Sequence, residues 1–157
     1  TFPDSGEKEI ENRTNNAILM ISCIIFTHAD LGSGLRHAVE GMMGKQEAFS
    51  VLSNTGMGRE EMISALQKEI TRGDYSAGVM VFVDMAGGSC WNMAKRIKSA
   101  MRDEFGSKSD QPPPLAIICG VNLPMLVKFF TLRNDVPLDQ LVSLVRQEGE
   151  KGIVTEN

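Results

Sequence analysis

The amino-acid sequence predicts an α/β domain whose mostly parallel sheet is covered by helices on both faces. Short, continuous apolar runs recur along the chain, as in parallel strands that are buried on both faces. Amphipathic stretches with helical spacing follow these runs, so strands and helices alternate. A chain of 157 residues, of which 42% are hydrophobic, is also the right size for one compact domain.

The first two strand and helix pairs are predicted in the first half of the chain. Ala17–Phe26 is a continuous apolar run, about half the length that a bilayer-spanning helix needs, and is predicted to be a buried strand. Gly44 is placed to end the helix that follows, and Ala48–Ser53 is the second strand. Asn54–Gly58 breaks the chain before the second helix. The apolar residues that predict the two helices are Leu35, Ala38, Val39, Met42 and Met43, then Met62, Ala65, Leu66 and Ile70. The methionines of the chain are interpreted as core packing.

The third and fourth strands are predicted at Gly78–Asp84 and Leu115–Cys119. The third leads through Gly87-Gly88-Ser89 into a helix from about Cys90 to Phe105. Residues 106–114 contain three successive prolines and are interpreted as a surface linker.

Two further helices are predicted after the fourth strand. Pro124 and Pro137 stand where proline is accepted in a first helical turn. Ile153–Thr155 is β-branched and is predicted to form a short edge strand. The residues that the last helix should bury are Leu138, Leu141, Val142 and Val145.

The composition argues against several classes of protein. The 16 basic and 20 acidic residues give a formal net charge of -4 and form no basic run for nucleic acid. Cys23, Cys90 and Cys119 lack the number and spacing of a disulfide framework or a zinc site, which favours free thiols in a reducing cytoplasm. Residues 1–16 are polar, without the apolar core of a secretory signal, and are predicted to be a flexible leader before one domain at 17–157.

The candidate chemistry lies at the carboxyl ends of the strands, where open parallel sheets collect functional groups. His28 follows the first strand and Asp84 ends the third. A strand order of 2-1-3-4 would make these strands neighbours and bring the two side chains together. A carboxylate that accepts the Nδ1 proton of a histidine leaves Nε2 unprotonated and available as a nucleophile. His28 and Asp84 are therefore the predicted catalytic residues.

An anion site is predicted beside this pair. Gly87, Gly88 and Ser89 open a helix and would offer backbone N–H groups and a hydroxyl to a phosphoryl group. Thr27, next to His28, completes the predicted phosphate-binding set. The sequence shows no cluster of metal-ligating residues elsewhere, and no metal site is predicted.

Three strings of residues stand at these strand ends: Thr27-His28, Phe82-Val83-Asp84-Met85-Ala86-Gly87-Gly88-Ser89, and Gly120-Val121-Asn122-Leu123-Pro124-Met125-Leu126. In order and spacing they resemble the motifs of the enzyme IIA components of the mannose family of sugar phosphotransferase systems. The resemblance covers about residue 17 to the end, and the third string is its most specific part. By this resemblance His28 matches the family's phosphorylated histidine, Asp84 its orienting aspartate, and Ser89 the serine of its Gly-Gly-Ser turn.

The resemblance implies a cytoplasmic phosphoryl carrier of the phosphoenolpyruvate-dependent sugar phosphotransferase system. His28 would accept a phosphoryl group from the phosphohistidine of the carrier protein HPr and pass it to a histidine or cysteine of an enzyme IIB partner, without a metal, nucleotide or organic cofactor. The family is also dimeric, and here Gly152–Thr155 would join the sheet of the other subunit. Contact with the membrane would be made only through enzyme IIB and a mannose-type permease.

Two positions near His28 depart from the family. Ala29-Asp30 follows the histidine where the family usually has glycine, which adds a negative charge near the predicted anion site. Cys90 replaces the proline that commonly follows Gly-Gly-Ser. Two other functions stay open on the same fold: the phosphocarrier subunit of a dihydroxyacetone kinase, and a non-catalytic regulatory module, which Asp30 and Cys90 motivate.

Structural roles are the alternative for each site residue. His28 could be a partly buried histidine bonded to a backbone carbonyl, while Asp84 and Ser89 could simply cap the following helix. His37 is expected to lie at the surface without a role. Packing or turn-stabilising roles are expected for Cys90, Trp91 and Asn122.

Overall fold

The computed structural model describes residues 20–73, 76–105 and 114–157. The predicted leader, the start of the predicted first strand at 17–19, and residues 106–113 of the predicted linker lie outside these ranges. The described chain forms four strands and five helices. They are β1 Ser22–Thr27, α1 Leu31–Met43, β2 Phe49–Ser53, α2 Arg59–Thr71, β3 Val79–Val83, α3 Ser89–Phe105, β4 Leu115–Cys119, α4 Leu123–Leu132 and α5 Leu138–Lys151.

The four strands form one parallel sheet in the order β2-β1-β3-β4. This arrangement confirms the predicted fold class and strand order. In the central pair, Phe26 of β1 lies opposite Val83 of β3. The two strands therefore end at the same level, and the residues that follow them, His28 and Asp84, leave the sheet at one edge.

Both faces of the sheet are buried, which explains why the strand sequences are unbroken apolar runs. Cys23 and Ile25 of β1 join the core under α1, α4 and α5, whereas Ile24 and Phe26 join the core under α2 and α3. Each fully buried side chain of this kind contributes roughly 1.5–3 kcal/mol to folding. Polar chemistry can therefore be accommodated only at the ends of the strands.

The predicted helix ends are confirmed. Gly44 follows α1 with φ +79°, a conformation that favours glycine. Pro124 stands in the first turn of α4, and the side chain of Asn122 accepts a hydrogen bond from the Met125 N–H at 3.1 Å. Pro137 directly precedes α5. Asn122 thus has the local turn-stabilising role that was expected of it.

The interpretation of the methionines as core packing is wrong for three of them. Met42 is 58% exposed, Met57 37% and Met85 59%. In α1, Val39 and Met43 contact the core, whereas Met42 lies on a side of the helix that the core does not cover. Met57 and Met85 lie in loops, where no helical face directs them inward.

The residues after α5 form no strand within the chain, and Ile153 and Val154 are 76% and 82% exposed. The predicted exchange of this segment between subunits therefore stays a prediction. Among the residues that the structure describes, no helix combines the length and the hydrophobicity that crossing a bilayer requires.

The close packing of α1 on the sheet depends on Gly32. A Cβ at this position would lie 2.8 Å from Thr27 Oγ1 and 2.9 Å from Val51 Cγ1. We expect Gly32→Ala to lower the free energy of unfolding by about 1–3 kcal/mol through overpacking. Gly34→Ala, in the same helix with nothing within 4 Å, should raise it by about 0.5–1 kcal/mol. Urea unfolding of both variants tests this, and equal effects would contradict it.

Candidate active site

The structure brings His28 and Asp84 together at the carboxyl edge of the sheet, as the sequence predicts. Nδ1 of His28 lies 2.7 Å from Oδ2 of Asp84, and the backbone N–H of His28 donates to the same oxygen at 2.9 Å. The other carboxylate oxygen, Oδ1, accepts from the Met85 N–H at 2.9 Å. One aspartate thus fixes both the ring and the backbone of His28.

These contacts determine where the ring proton resides. Burial raises the pKa of Asp84, but the hydrogen bonds from the His28 backbone, the His28 ring and the Met85 backbone outweigh it and leave the pKa below its ordinary value. An ionised carboxylate can only accept a hydrogen bond, so Nδ1 of His28 carries the proton. Nε2 is then the ring nitrogen with a free lone pair.

The imidazole is accessible, whereas its partner is not. The His28 side chain is 42% exposed and that of Asp84 12%. Gly88 lies against the ring, because a Cβ there would be 3.2 Å from Cε1 of His28. Gly87 has φ +80°, in the region that favours glycine. The two glycines therefore let the start of α3, at Ser89, approach the imidazole closely.

The structure does not bring the Thr27 hydroxyl into this exposed site. Thr27 is fully buried, and its Oγ1 lies toward α1, where it would meet a Cβ at Gly32. Oγ1 also has no hydrogen-bond partner among the described residues. Of the predicted phosphate-binding residues, Gly88 contacts the His28 ring, with Gly87 and Ser89 on either side of it in the chain, whereas Oγ1 of Thr27 is directed toward α1.

Asn54 is a site residue that sequence reasoning missed. It directly follows β2, and its Oδ1 accepts a hydrogen bond from the Ala29 N–H at 3.3 Å. Its Nδ2 lies 3.4 Å from Oγ of Ser89. The only signal in the sequence was an asparagine at the end of a strand next to β1.

Cys90 forms the floor of the site. Its ligand atom lies within 4.8 Å of those of His28 and Asp84, which is the geometry of a possible metal cluster among the described residues. However, Nδ1 and Oδ2 already bind each other, and burial, followed by the charge of Asp84, raises the pKa of the Cys90 thiol to about 11. A cation would have to break that contact and deprotonate a buried thiol. We therefore interpret the cluster as a hydrogen-bonded pair above an inert thiol.

The profile of one protein family matches most of the chain. This family, EIIA-man, is described as the PTS system fructose IIA component, and its match covers residues 22–145. The chain belongs to this family. It is thus a member of the mannose-family enzyme IIA components of sugar phosphotransferase systems, as the three sequence motifs predict.

Individual relatives agree with this assignment. The mannose-specific EIIAB components of Escherichia coli K12 and Shigella flexneri are 30% identical over 137 residues, which is 86% of this chain and 39% of theirs. The chain thus spans well under half the length of these relatives. The crystal structure of a phosphotransferase EIIA component from Streptococcus agalactiae matches with a TM-score of 0.74 and 28% identity, over 87% of this chain and 97% of that one. The mannose/sorbose specific IIA subunit from Enterococcus faecalis shares the fold, with a TM-score of 0.68 and 18% identity over 87% and 95% of the two chains.

The structure gives a physical meaning to one departure from the mannose-family enzyme IIA pattern. Ala29, where the resemblance implies glycine, has φ +46° and so lies in the left-handed region. An L-residue is less stable there than glycine by roughly 1–2 kcal/mol. The hydrogen bond from its N–H to Asn54 is one interaction that holds the loop in this conformation.

The residues expected to be structural have the expected environments in this enzyme IIA domain. His37 is exposed on α1, and no role follows for it. Trp91 packs against the core under α2 and α3, with Nζ of Lys95 5.5 Å from the centroid of its ring.

The depressed pKa of Asp84 predicts a specific dependence of stability on pH. Because the folded protein favours the ionised carboxylate, Asp84 contributes stability that is fully present above its ordinary pKa of 3.8. This contribution is lost as the pH falls through the lower pKa of the folded state. Below about pH 4 the free energy of unfolding of the wild type should therefore fall more steeply than that of Asp84→Asn. Urea unfolding at a series of pH values from about 6 to about 3 measures both slopes. Parallel curves for the wild type and Asp84→Asn would contradict the assignment.

Proposed function

We propose that the protein is a phosphoryl carrier of a sugar phosphotransferase system, with His28 as the phosphorylated residue. It accepts the group from phosphohistidine on HPr and donates it to an enzyme IIB partner. The observation that carries this proposal is an exposed imidazole whose Nδ1 is bound to Asp84 at 2.7 Å. That arrangement presents Nε2 to the surface, where another protein can approach it.

The transfer requires one bond to form and one to break. The Nε2 lone pair of His28 attacks phosphorus, and the bond between phosphorus and the donor imidazole breaks, so the donor nitrogen leaves with the electron pair. Positive charge develops on the His28 ring as the new bond forms. The Asp84 carboxylate, held by the N–H groups of His28 and Met85, stabilises that charge. Transfer to a histidine or cysteine of enzyme IIB reverses these roles.

The start of α3 supports the proposal that Gly87, Gly88 and Ser89 bind the phosphoryl oxygens. Free backbone N–H groups and the helix dipole at such a terminus favour an anion. Ser89 adds a hydroxyl next to Gly88, which contacts the His28 ring. The Thr27 hydroxyl takes no part in this proposal, since it is buried under α1.

The surface around His28 is suited to a protein partner. Leu31 and Met85 are 48% and 59% exposed, and each lies within three residues of His28 or Asp84 in sequence. Met57 is exposed in the loop after β2, at the same edge of the sheet. Exposed apolar side chains near a reactive group favour docking of a macromolecule over binding of a small sugar.

The quaternary and cellular parts of the proposal are supported by the resemblance to the family and by two features of the surface. β4 is an edge strand, and the exposed Ile153 and Val154 could extend the sheet of a second subunit in a homodimer. We place the protein in the cytoplasm, in contact with the membrane only through enzyme IIB and a mannose-type permease. The name of the mannose-specific relatives favours this role over a carrier for dihydroxyacetone kinase.

The first test is the intact mass of the protein after incubation with phosphoenolpyruvate, enzyme I and HPr. The wild type should gain one acid-labile phosphoryl group, and His28→Ala should gain none. His37→Ala is the matched control, because His28 and His37 are the two histidines of the chain. It should gain the same single group as the wild type. No gain by the wild type would overturn the proposal and favour a regulatory module.

The second test concerns the role of Asp84. We expect Asp84→Asn to accept the phosphoryl group about 10² to 10⁴ times more slowly than the wild type, because the ring loses its orienting and charge-stabilising partner. Rapid-quench measurement with phospho-HPr gives the rate. Asp30→Asn removes an exposed carboxylate two residues after His28 and should be no slower than the wild type. Full activity in Asp84→Asn would refute the role of Asp84.

A further inference from the structure

Asn54 connects the two halves of the site. Its backbone is fixed at the end of β2, since its N–H donates to the Thr27 carbonyl at 3.2 Å and its carbonyl accepts from the Met57 N–H at 3.3 Å. From this fixed position its side chain contacts Ala29, next to His28, and Ser89 at the start of α3. These contacts join segments that are 25 and 35 residues away in sequence.

The hydrogen-bond network fixes the orientation of the amide. The Ala29 N–H is a donor and requires the oxygen of Asn54, so Nδ2 must face Oγ of Ser89. In this arrangement Oγ accepts from Asn54. The Ser89 side chain also contacts the Cys90 thiol, which is neutral below its pKa of about 11 and is only a weak acceptor. A bound anion is therefore the stronger acceptor for the hydroxyl proton of Ser89.

The other half of the contact acts on the loop that carries His28. Ala29 has φ +46°, which is unfavourable for a residue with a side chain. The bond from its N–H to Asn54 stabilises this conformation. Asn54 therefore constrains the nucleophile on one side and the hydroxyl donor on the other.

We propose that Asn54 is a positioning residue for phosphoryl transfer, which orients the Ser89 hydroxyl toward the phosphoryl group while it holds the His28 loop. This inference rests on the proposed function of His28. It goes beyond that function by assigning a role in the reaction to the residue that directly follows β2, the strand on the far side of β1 from β3.

Two substitutions test whether Asn54 contributes to phosphoryl transfer. Asn54→Ala removes both contacts, and we expect kcat/KM with phospho-HPr to fall about tenfold. Asn54→Asp keeps an acceptor for the Ala29 N–H, but its second oxygen would accept a hydrogen bond from the Ser89 hydroxyl and direct that proton away from the anion. It also adds a negative charge beside the anion. We expect Asn54→Asp to be at least as slow as Asn54→Ala. The added charge alone would also slow Asn54→Asp, so the coupling between Asn54→Ala and Ser89→Ala separates positioning from loop support.

A neighbouring residue provides the control variant, and a double substitution measures the coupling between Asn54 and Ser89. Ser53→Ala removes a hydroxyl that forms hydrogen bonds with Thr55 and should leave the rate unchanged. In a Ser89→Ala background, Asn54→Ala should cost less than about twofold, because its partner is already absent. Equal effects of Asn54→Ala in both backgrounds would overturn the proposal.

The result also separates this inference from the function on which it rests. A wild type that accepts a phosphoryl group while both Asn54 variants accept it equally fast overturns only the role of Asn54. A wild type that accepts none overturns both. Urea unfolding of Asn54→Asp, expected to be close to the wild type, confirms that a slow rate is not a folding defect.

Discussion

The hydrogen bond between Nδ1 of His28 and Oδ2 of Asp84 is the contact on which the proposed chemistry of this protein depends. It joins residues 56 positions apart, and it can form only because β3 lies directly beside β1 in the sheet. The same carboxylate also accepts the backbone N–H of His28. The ring and the loop that carries it are therefore oriented by one group, which is itself fixed at the end of a buried strand. Such orientation leaves little to rearrange when charge develops on the imidazole.

The burial of both faces of the sheet explains why the site has its present location. Strands covered by helices on two sides cannot hold an ionised group, so histidine and aspartate occur immediately after the strands. The Gly87-Gly88 turn then allows α3 to begin against the imidazole. A side chain at Gly88 would meet the ring, and thus the conformation of this turn and the accessibility of His28 are linked. Gly88 therefore has a steric reason here, and Gly87, with φ +80°, a conformational one.

The strands, the strand order and the pairing of His28 with Asp84 could be predicted from the sequence, because unbroken apolar runs locate the strands and their polar ends locate the site. Asn54 could not, since its contact with Ala29 depends on the register between β1 and β2, in which Thr27 lies opposite Ser53. The direction of the Thr27 hydroxyl depends on a similar detail, namely the alternation of β1 side chains between the two cores. Met42 shows a further limit. The spacing of apolar residues predicts which side of a helix faces the core, but not how much of that side the core covers, and Met42 stays exposed.

The orientation of the His28 ring by Asp84 is the central claim, and the tautomer of the neutral imidazole tests it most directly. We would record ¹⁵N NMR spectra of the histidine rings at alkaline pH, where imidazoles are uncharged. The account predicts that His28 has a protonated Nδ1 and an unprotonated Nε2, whereas the exposed His37 shows the ordinary exchange between tautomers. A His28 ring protonated on Nε2, or a mixture like that of His37, would contradict the account.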